Sequence, residues 1–167
     1  MSKNVHRATQ SCATAGLTGK RRALTSLAGQ VALIVAALFA GAAFYINVVE
    51  QPARLLLDDG ALLTQWKTAY KRGFALQAPL AVIGSVAAVF AWRETREWFW
   101  ILGAVVLIAN WPYTLLGIMP TNRRLTATDS ANAGPATRAL IEHWARLHAV
   151  RTGLGLVAAM IFLCASI

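Results

Sequence analysis

The sequence predicts an all-α protein, a four-helix transmembrane bundle with a short amphipathic interfacial helix after the first span. Three observations carry this prediction. Four long runs of the chain lack charge altogether. The composition is 57% hydrophobic and only 14% charged, against about 25% charged in ordinary soluble domains. The bases collect beside the apolar runs, where they set topology and meet anionic lipid. A mean hydropathy of +0.51 over 167 residues is too apolar for one water-soluble core of this size and fits a bundle in lipid. The expected organisation is a basic disordered tail over residues 1–22 and a four-span integral membrane domain over residues 23–167.

In the tail, Lys3, Arg7, Lys20, Arg21 and Arg22 occur with no acid among Ser, Thr, Gly and Ala, a composition that cannot support a packed core. The first span follows from a charge-free run of 27 residues, Ala23 to Val49, where about 20 suffice to cross a bilayer. Small residues recur four apart, Ala36 with Ala40 and Ala37 with Gly41, the pattern of close helix contact in lipid. A homo-oligomer is compatible with that face. A secretory signal peptide is the rival reading of this stretch, with Lys20-Arg21-Arg22 as its basic flank and Ala40-Gly41-Ala42 as its cleavage site. The run is long for that role and continues past the cleavage point.

Pro52 should kink or restart the helix, because it lacks an amide hydrogen and clashes with the carbonyl four residues back. Asn47, Glu50 and Arg54 share a face if the helix continues. They read either as a cap with an interfacial Glu50–Arg54 pair or as the polar wall of a site. After Asp58-Asp59-Gly60, residues 61–72 are amphipathic. Leu63, Trp66 and Tyr70 lie on one side, and Thr64, Lys67, Thr68 and Lys71 on the other. This suits a helix lying at headgroup level, with Trp and Tyr in the aromatic belt.

The second span is the 19 uncharged residues Phe74 to Trp92, with Gln77 and Pro79 in its first turns. Arg93 to Glu97 allows only a tight hairpin between antiparallel helices. The third span is the 22 uncharged residues Trp98 to Met119. In it, Asn110 should face the bundle interior, since a polar residue in lipid is costly unless paired. Pro112 should kink the helix. Residues 126–135 read as a loop ending in Gly134-Pro135. Helix resumes near Ala136, with Arg138, Glu142 and Arg146 as a solvated ladder and His143 exposed. The last span holds 16 uncharged residues, Thr152 to Ile167, about 24 Å of helix against a hydrocarbon core of about 30 Å. Arg151 must therefore snorkel or be drawn inside the bundle edge.

With four antiparallel spans, Glu50, Trp66, Asn122 and His148 collect at one end. Which side of the membrane that end faces is left open, because seven Lys and Arg stand on one side and nine on the other. The localisation expected is a multi-pass membrane protein with membrane lipid as its surroundings. Nucleic acid is not expected as a partner, since the basic residues flank spans rather than forming a base-reading surface. Cys12 and Cys164 make no CxxC and no disulfide framework. A b-type haem needs two facing histidines on spans, and His148 alone sits near one. Zinc and copper lack ligand spacing for the same reason. No cofactor and no metal are therefore expected.

The candidate site lies in Trp144-Ala-Arg-Leu-His148-Ala-Val-Arg151. Trp144, His148 and Arg151 stand at i, i+4 and i+7, which places them on one helical face. An imidazole, with an unperturbed pKa of about 6.5, suits a base near neutrality. A guanidinium one turn on suits an oxyanion. The same trio also fits a plain interfacial anchor.

Together with Pro120-Thr-Asn122-Arg-Arg-Leu125, this motif resembles the anthrone oxygenase-like family of small four-span membrane proteins, many of whose members carry no assigned function. The likeness covers roughly residues 27–167. The resemblance implies oxidation of an anthrone to an anthraquinone with dioxygen, without flavin or haem. It places functional residues at Asn122, Trp144, His148 and Arg151, with Glu50 and Pro52 matching a first-loop element. The expected catalytic set is His148, Arg151 and Glu50. Asn110, Trp111, Tyr113, Asn122 and Trp144 are expected to bind a small aromatic substrate. Glu50 is expected beside either Arg151 or His148. Asn122 is expected to structure the third loop by capping a helix or bonding backbone amides. The alternative is a non-catalytic membrane module, either a lipid or small-ligand binder or an assembly subunit.

Overall fold

A computed structural model describes residues 27–167, so the basic tail and Cys12 lie outside the described residues. The described chain forms four long helices, each long and apolar enough to cross a membrane. They are α1 (Leu27–Arg54), α2 (Asp59–Thr95), α3 (Phe99–Ala127) and α4 (Pro135–Ser166). The Ala40-Gly41-Ala42 stretch is interior helix in α1.

Short connections impose the antiparallel order. Arg96 closes α2 in the left-handed region, at φ 63°, and its amide bonds back to the Trp92 carbonyl at 2.7 Å. Three residues then suffice to turn into α3, as the hairpin pattern requires. Asp58 starts α2 by accepting the Ala61 amide at 2.9 Å, satisfying one of the donors a helix start leaves over.

The amphipathic stretch 61–72 is helical but is not a separate helix. It is the first third of α2, which runs unbroken for 37 residues. Leu62, Leu63 and Trp66 are fully buried. The apolar stripe packs against Ile118 and Leu125 of α3 and Ile141 and Trp144 of α4, not against a membrane surface. Protein contact buries that stripe more completely than headgroup contact would, and no residue between 72 and 74 breaks the helix.

Arg138 also departs from expectation. Instead of joining a solvated ladder it pins the α1–α2 turn. Its Nε donates to Asp59 at 2.7 Å, and its two terminal nitrogens donate to the carbonyls of Leu55 and Leu57 at 2.8 and 2.6 Å. The first loop is thereby tied to the start of α4.

Prolines shape the helices near one end of the bundle. In α1 the turn Ile46–Glu50 is widened to π geometry two residues before Pro52. In α3 the turn Thr114–Ile118 is widened likewise, two residues before Pro120. A π-turn relieves the contact between a proline ring and the carbonyl four residues back. Helix α3 is also interrupted at Ala109, three residues before Pro112. The other half of the bundle is packed through small residues. A Cβ on Gly103 would lie 2.3 Å from the Phe162 ring, and one on Gly155 would lie 2.8 Å from the Phe39 ring.

Candidate active site

The sequence trio sits on one buried face of α4. Trp144, His148 and Arg151 are 5%, 2% and 9% exposed, and His143 is exposed. Arg151 is thus drawn inside the bundle rather than snorkelling. One of its terminal nitrogens donates to Gln77 Oε1 at 2.9 Å, and its guanidinium lies 5.6 Å from the Phe39 ring centre. The Trp144 indole stacks on the His148 ring, with centres 4.8 Å apart and planes 27° apart. Its Nε1 donates to Asn122 Oδ1 at 2.9 Å. Trp66 meets Trp144 edge-on at 5.6 Å and stacks flat on Tyr70 at 5.1 Å. These rings hold one another in place, since each buries a large area in a geometry that suits its quadrupole.

His148 and Arg151 open onto a recess of about 390 Å³ that also counts its open mouth. All four helices contribute to it: Glu50 and Arg54 from α1, Tyr70, Phe74 and Gln77 from α2, Asn122 from α3, and Trp144, His148 and Arg151 from α4. A second, more apolar recess lies beside it, lined by Ala78, Ala81, Asn110, Trp111, Thr114 and Leu115. Phe74, Gln77 and Arg151 line both.

Glu50 reaches the recess but partners neither His148 nor Arg151. Its Oε1 forms an ion pair with Arg54 at 2.5 Å and accepts Gln65 Nε2 at 3.0 Å. The widened turn that carries Glu50 leaves its carboxylate beside Arg54, four residues on, whose side chain is 2% exposed. His148 is instead tethered by Asn47. Nδ1 of the imidazole lies 2.8 Å from Asn47 Oδ1, which also accepts the Thr152 hydroxyl at 2.8 Å. Asn47 Nδ2 donates to the Ala145 carbonyl at 2.9 Å.

The residues expected to bind substrate divide. Asn122 and Trp144 line the main recess. Asn122 is not a cap: it is buried within α3 and holds the Trp144 indole. Asn110 and Trp111 line the second recess, where Trp111 Nε1 donates to the Ala78 carbonyl at 3.2 Å. Tyr113 lines neither of these two recesses, and its hydroxyl donates to the Leu147 carbonyl at 3.0 Å.

Gln77 and Tyr70 were given no site role from the sequence, and Asn47 had one only in the reading that made it part of a polar wall with Glu50 and Arg54. Gln77 and Asn47 did carry a signal, as amide side chains inside otherwise apolar spans. Tyr70 carried none, because an interfacial belt accounts for it equally well.

Three polar atoms on the residues lining the main recess are buried without a hydrogen-bond partner: Arg54 Nε, Asn122 Nδ2 and Arg151 Nε. All three are donors. Among the described residues no three His, Cys, Asp or Glu side chains converge as a metal site would need.

The profile of the anthrone oxygenase family matches residues 66–161, a range that includes Tyr70, Gln77, Asn122, Trp144, His148 and Arg151. The chain belongs to the anthrone oxygenase family. An anthrone oxygenase of Claviceps purpurea (strain 20.1) is 31% identical over 148 residues, covering 78% of this chain and 83% of that protein. No solved structure matches. Within this family member, Glu50 and Arg54 lie before the matched range, yet they complete the same recess from α1, and Asn47, also before it, bonds to His148.

Proposed function

We propose that this anthrone oxygenase family member is a multi-pass membrane oxygenase acting on an anthrone-like or other phenolic, apolar substrate with dioxygen. The observation that carries the reading is the chemistry of the main recess. It brings together an imidazole and two buried guanidinium groups, and the buried polar atoms left without a partner on its lining are all donors. A ligand bearing carbonyl or enolate oxygens answers such a donor set, since each unpaired buried N–H costs about 1–3 kcal/mol until it is met.

In this reading His148 removes a proton from the activated CH2 of the substrate. The resulting carbanion is delocalised onto the ring oxygen, where Arg151 stabilises the negative charge. The carbanion gives its electrons to dioxygen and a C–O bond forms, yielding a hydroperoxide. Loss of water then leaves a carbonyl. The CH2 is oxidised by four electrons, and dioxygen ends as one carbonyl oxygen and one water. Glu50 acts by neutralising Arg54, and Trp144 and Tyr70 offer flat walls. The second recess, apolar and flanked by the half-exposed Phe74 and Trp111, gives a substrate dissolved in lipid a way to Arg151.

The test is oxygen uptake by membranes carrying the wild-type chain, His148→Ala or Arg151→Lys, offered an anthrone and measured above spontaneous oxidation. Wild-type uptake that falls about 10²-fold or more in His148→Ala supports the reading. Arg151→Lys keeps charge but loses the planar fork and should fall as well. No wild-type uptake over a panel of anthrones and related phenols would overturn it in favour of a binding module.

A further inference from the structure

Asn47 has no part in the reaction as proposed, yet its side chain reaches across to α4 at three points. The direction of its amide follows from one neighbour. The Ala145 carbonyl can only accept, so the nitrogen of Asn47 must be the atom 2.9 Å away, and Oδ1 must face the other way. The reversed amide would set two oxygens against each other and leave the Thr152 hydroxyl without its acceptor. Oδ1 is itself an acceptor only, and His148 Nδ1 lies 2.8 Å from it. Two lone pairs cannot make that contact, so the hydrogen is on Nδ1.

We infer that Asn47 is a positioning residue that holds His148 in the Nδ1–H tautomer and leaves Nε2 as the nitrogen with the free lone pair. The ring is then fixed twice. Asn47 holds one edge, and Trp144 lies against one face at 4.8 Å. Asn47 is placed to do this by the widened turn Ile46–Glu50, and Ala145 and Thr152 anchor its amide at both ends. The two partners are 101 residues apart in sequence, so the tautomer is set only once α1 has docked on α4. Where the proposed oxidation holds, Nε2 is the atom that receives the substrate proton. The assignment of the tautomer does not depend on that reaction.

The experiment is ¹⁵N NMR of the full chain labelled at histidine and held in lipid nanodiscs, at a pH where the His148 ring is neutral. The His148 signals are identified by their loss in His148→Gln. The expected spectrum has Nδ1 as the protonated nitrogen and Nε2 as the unprotonated one. An unprotonated Nδ1 in the wild-type protein overturns the inference, whether or not any activity is found. Asn47→Leu should release the ring to a mixture of tautomers, and an unchanged spectrum in a folded Asn47→Leu overturns the inference too. Thr152→Val, which leaves the His148 contact in place, should keep the wild-type spectrum. Under the proposed oxidation, Asn47→Leu should lower kcat about 10²-fold or more with little change in KM, since a wrong tautomer removes the base without removing the walls.

Discussion

In the half of the bundle that carries the α2–α3 hairpin, Phe162 lies on Gly103, and a run of alanines, Ala81, Ala88, Ala91 and Ala104, brings the helices close. Near the opposite end, the helices carry Pro52, Pro112 and Pro120, two of their turns are widened, and side chains leave a recess instead of interlocking. The first half keeps regular helices and fits rings against bare backbone. The second breaks helical regularity and fills the space with amides, guanidinium groups and an imidazole. The comparison teaches that the same four helices can be tight where only packing is at stake and open where chemistry is placed. Irregular backbone supplies the difference, because a π-turn shifts the direction of every side chain beyond it.

The largest expected effect comes from the polar half. Glu50→Ala strips the counter-charge from Arg54, a buried guanidinium, and should cost about 3–5 kcal/mol in stability. Unfolding in detergent measures the loss, and the double variant Glu50→Ala/Arg54→Leu should recover most of it. A double variant no more stable than the single one would mean that the carboxylate serves something other than Arg54.

The tight half is next. Gly103→Ala pushes a methyl to 2.3 Å from the Phe162 ring, and the shift this forces should cost about 1–3 kcal/mol. If Gly103→Ala is neutral, the hairpin half is looser than its geometry implies and the contrast between the halves fails.

The smallest effect should come from Asn122→Leu. It takes the acceptor from the buried Trp144 indole but also removes an unpartnered Nδ2. The two changes offset, for a net loss of about 1 kcal/mol. Trp144 fluorescence should change as its hydrogen bond is lost, and unaltered fluorescence would argue against that bond.

Much of this was legible because helices repeat locally. The four long apolar segments, the antiparallel hairpin after Thr95 and the shared face of Trp144, His148 and Arg151 all follow from spacing within single helices. The burial of Arg151 was half legible, since the apolar run beyond it is too short to span lipid alone. Other expectations failed for one common reason. Glu50 was expected at His148 or Arg151, Arg138 in a surface ladder, and Trp66 at a membrane surface. Each depends on how one helix is rotated against another, and amphipathic spacing does not tell a stripe facing protein from a stripe facing headgroups.

The sequence by itself determined the all-α architecture, the number of apolar helices and the chemical groups available at one end. Hydrophobic length and helical period act along the chain, within reach of a few neighbouring residues. Tertiary structure alone decided the pairings: Glu50 with Arg54 rather than Arg151, Gln77 with Arg151, and Asn47 with His148 and Thr152. Arg151 and His148 meet partners 74 and 101 residues away. Asn47 makes its contact from the widened turn of α1, and both contacts exist only because α1, α2 and α4 close around a single recess.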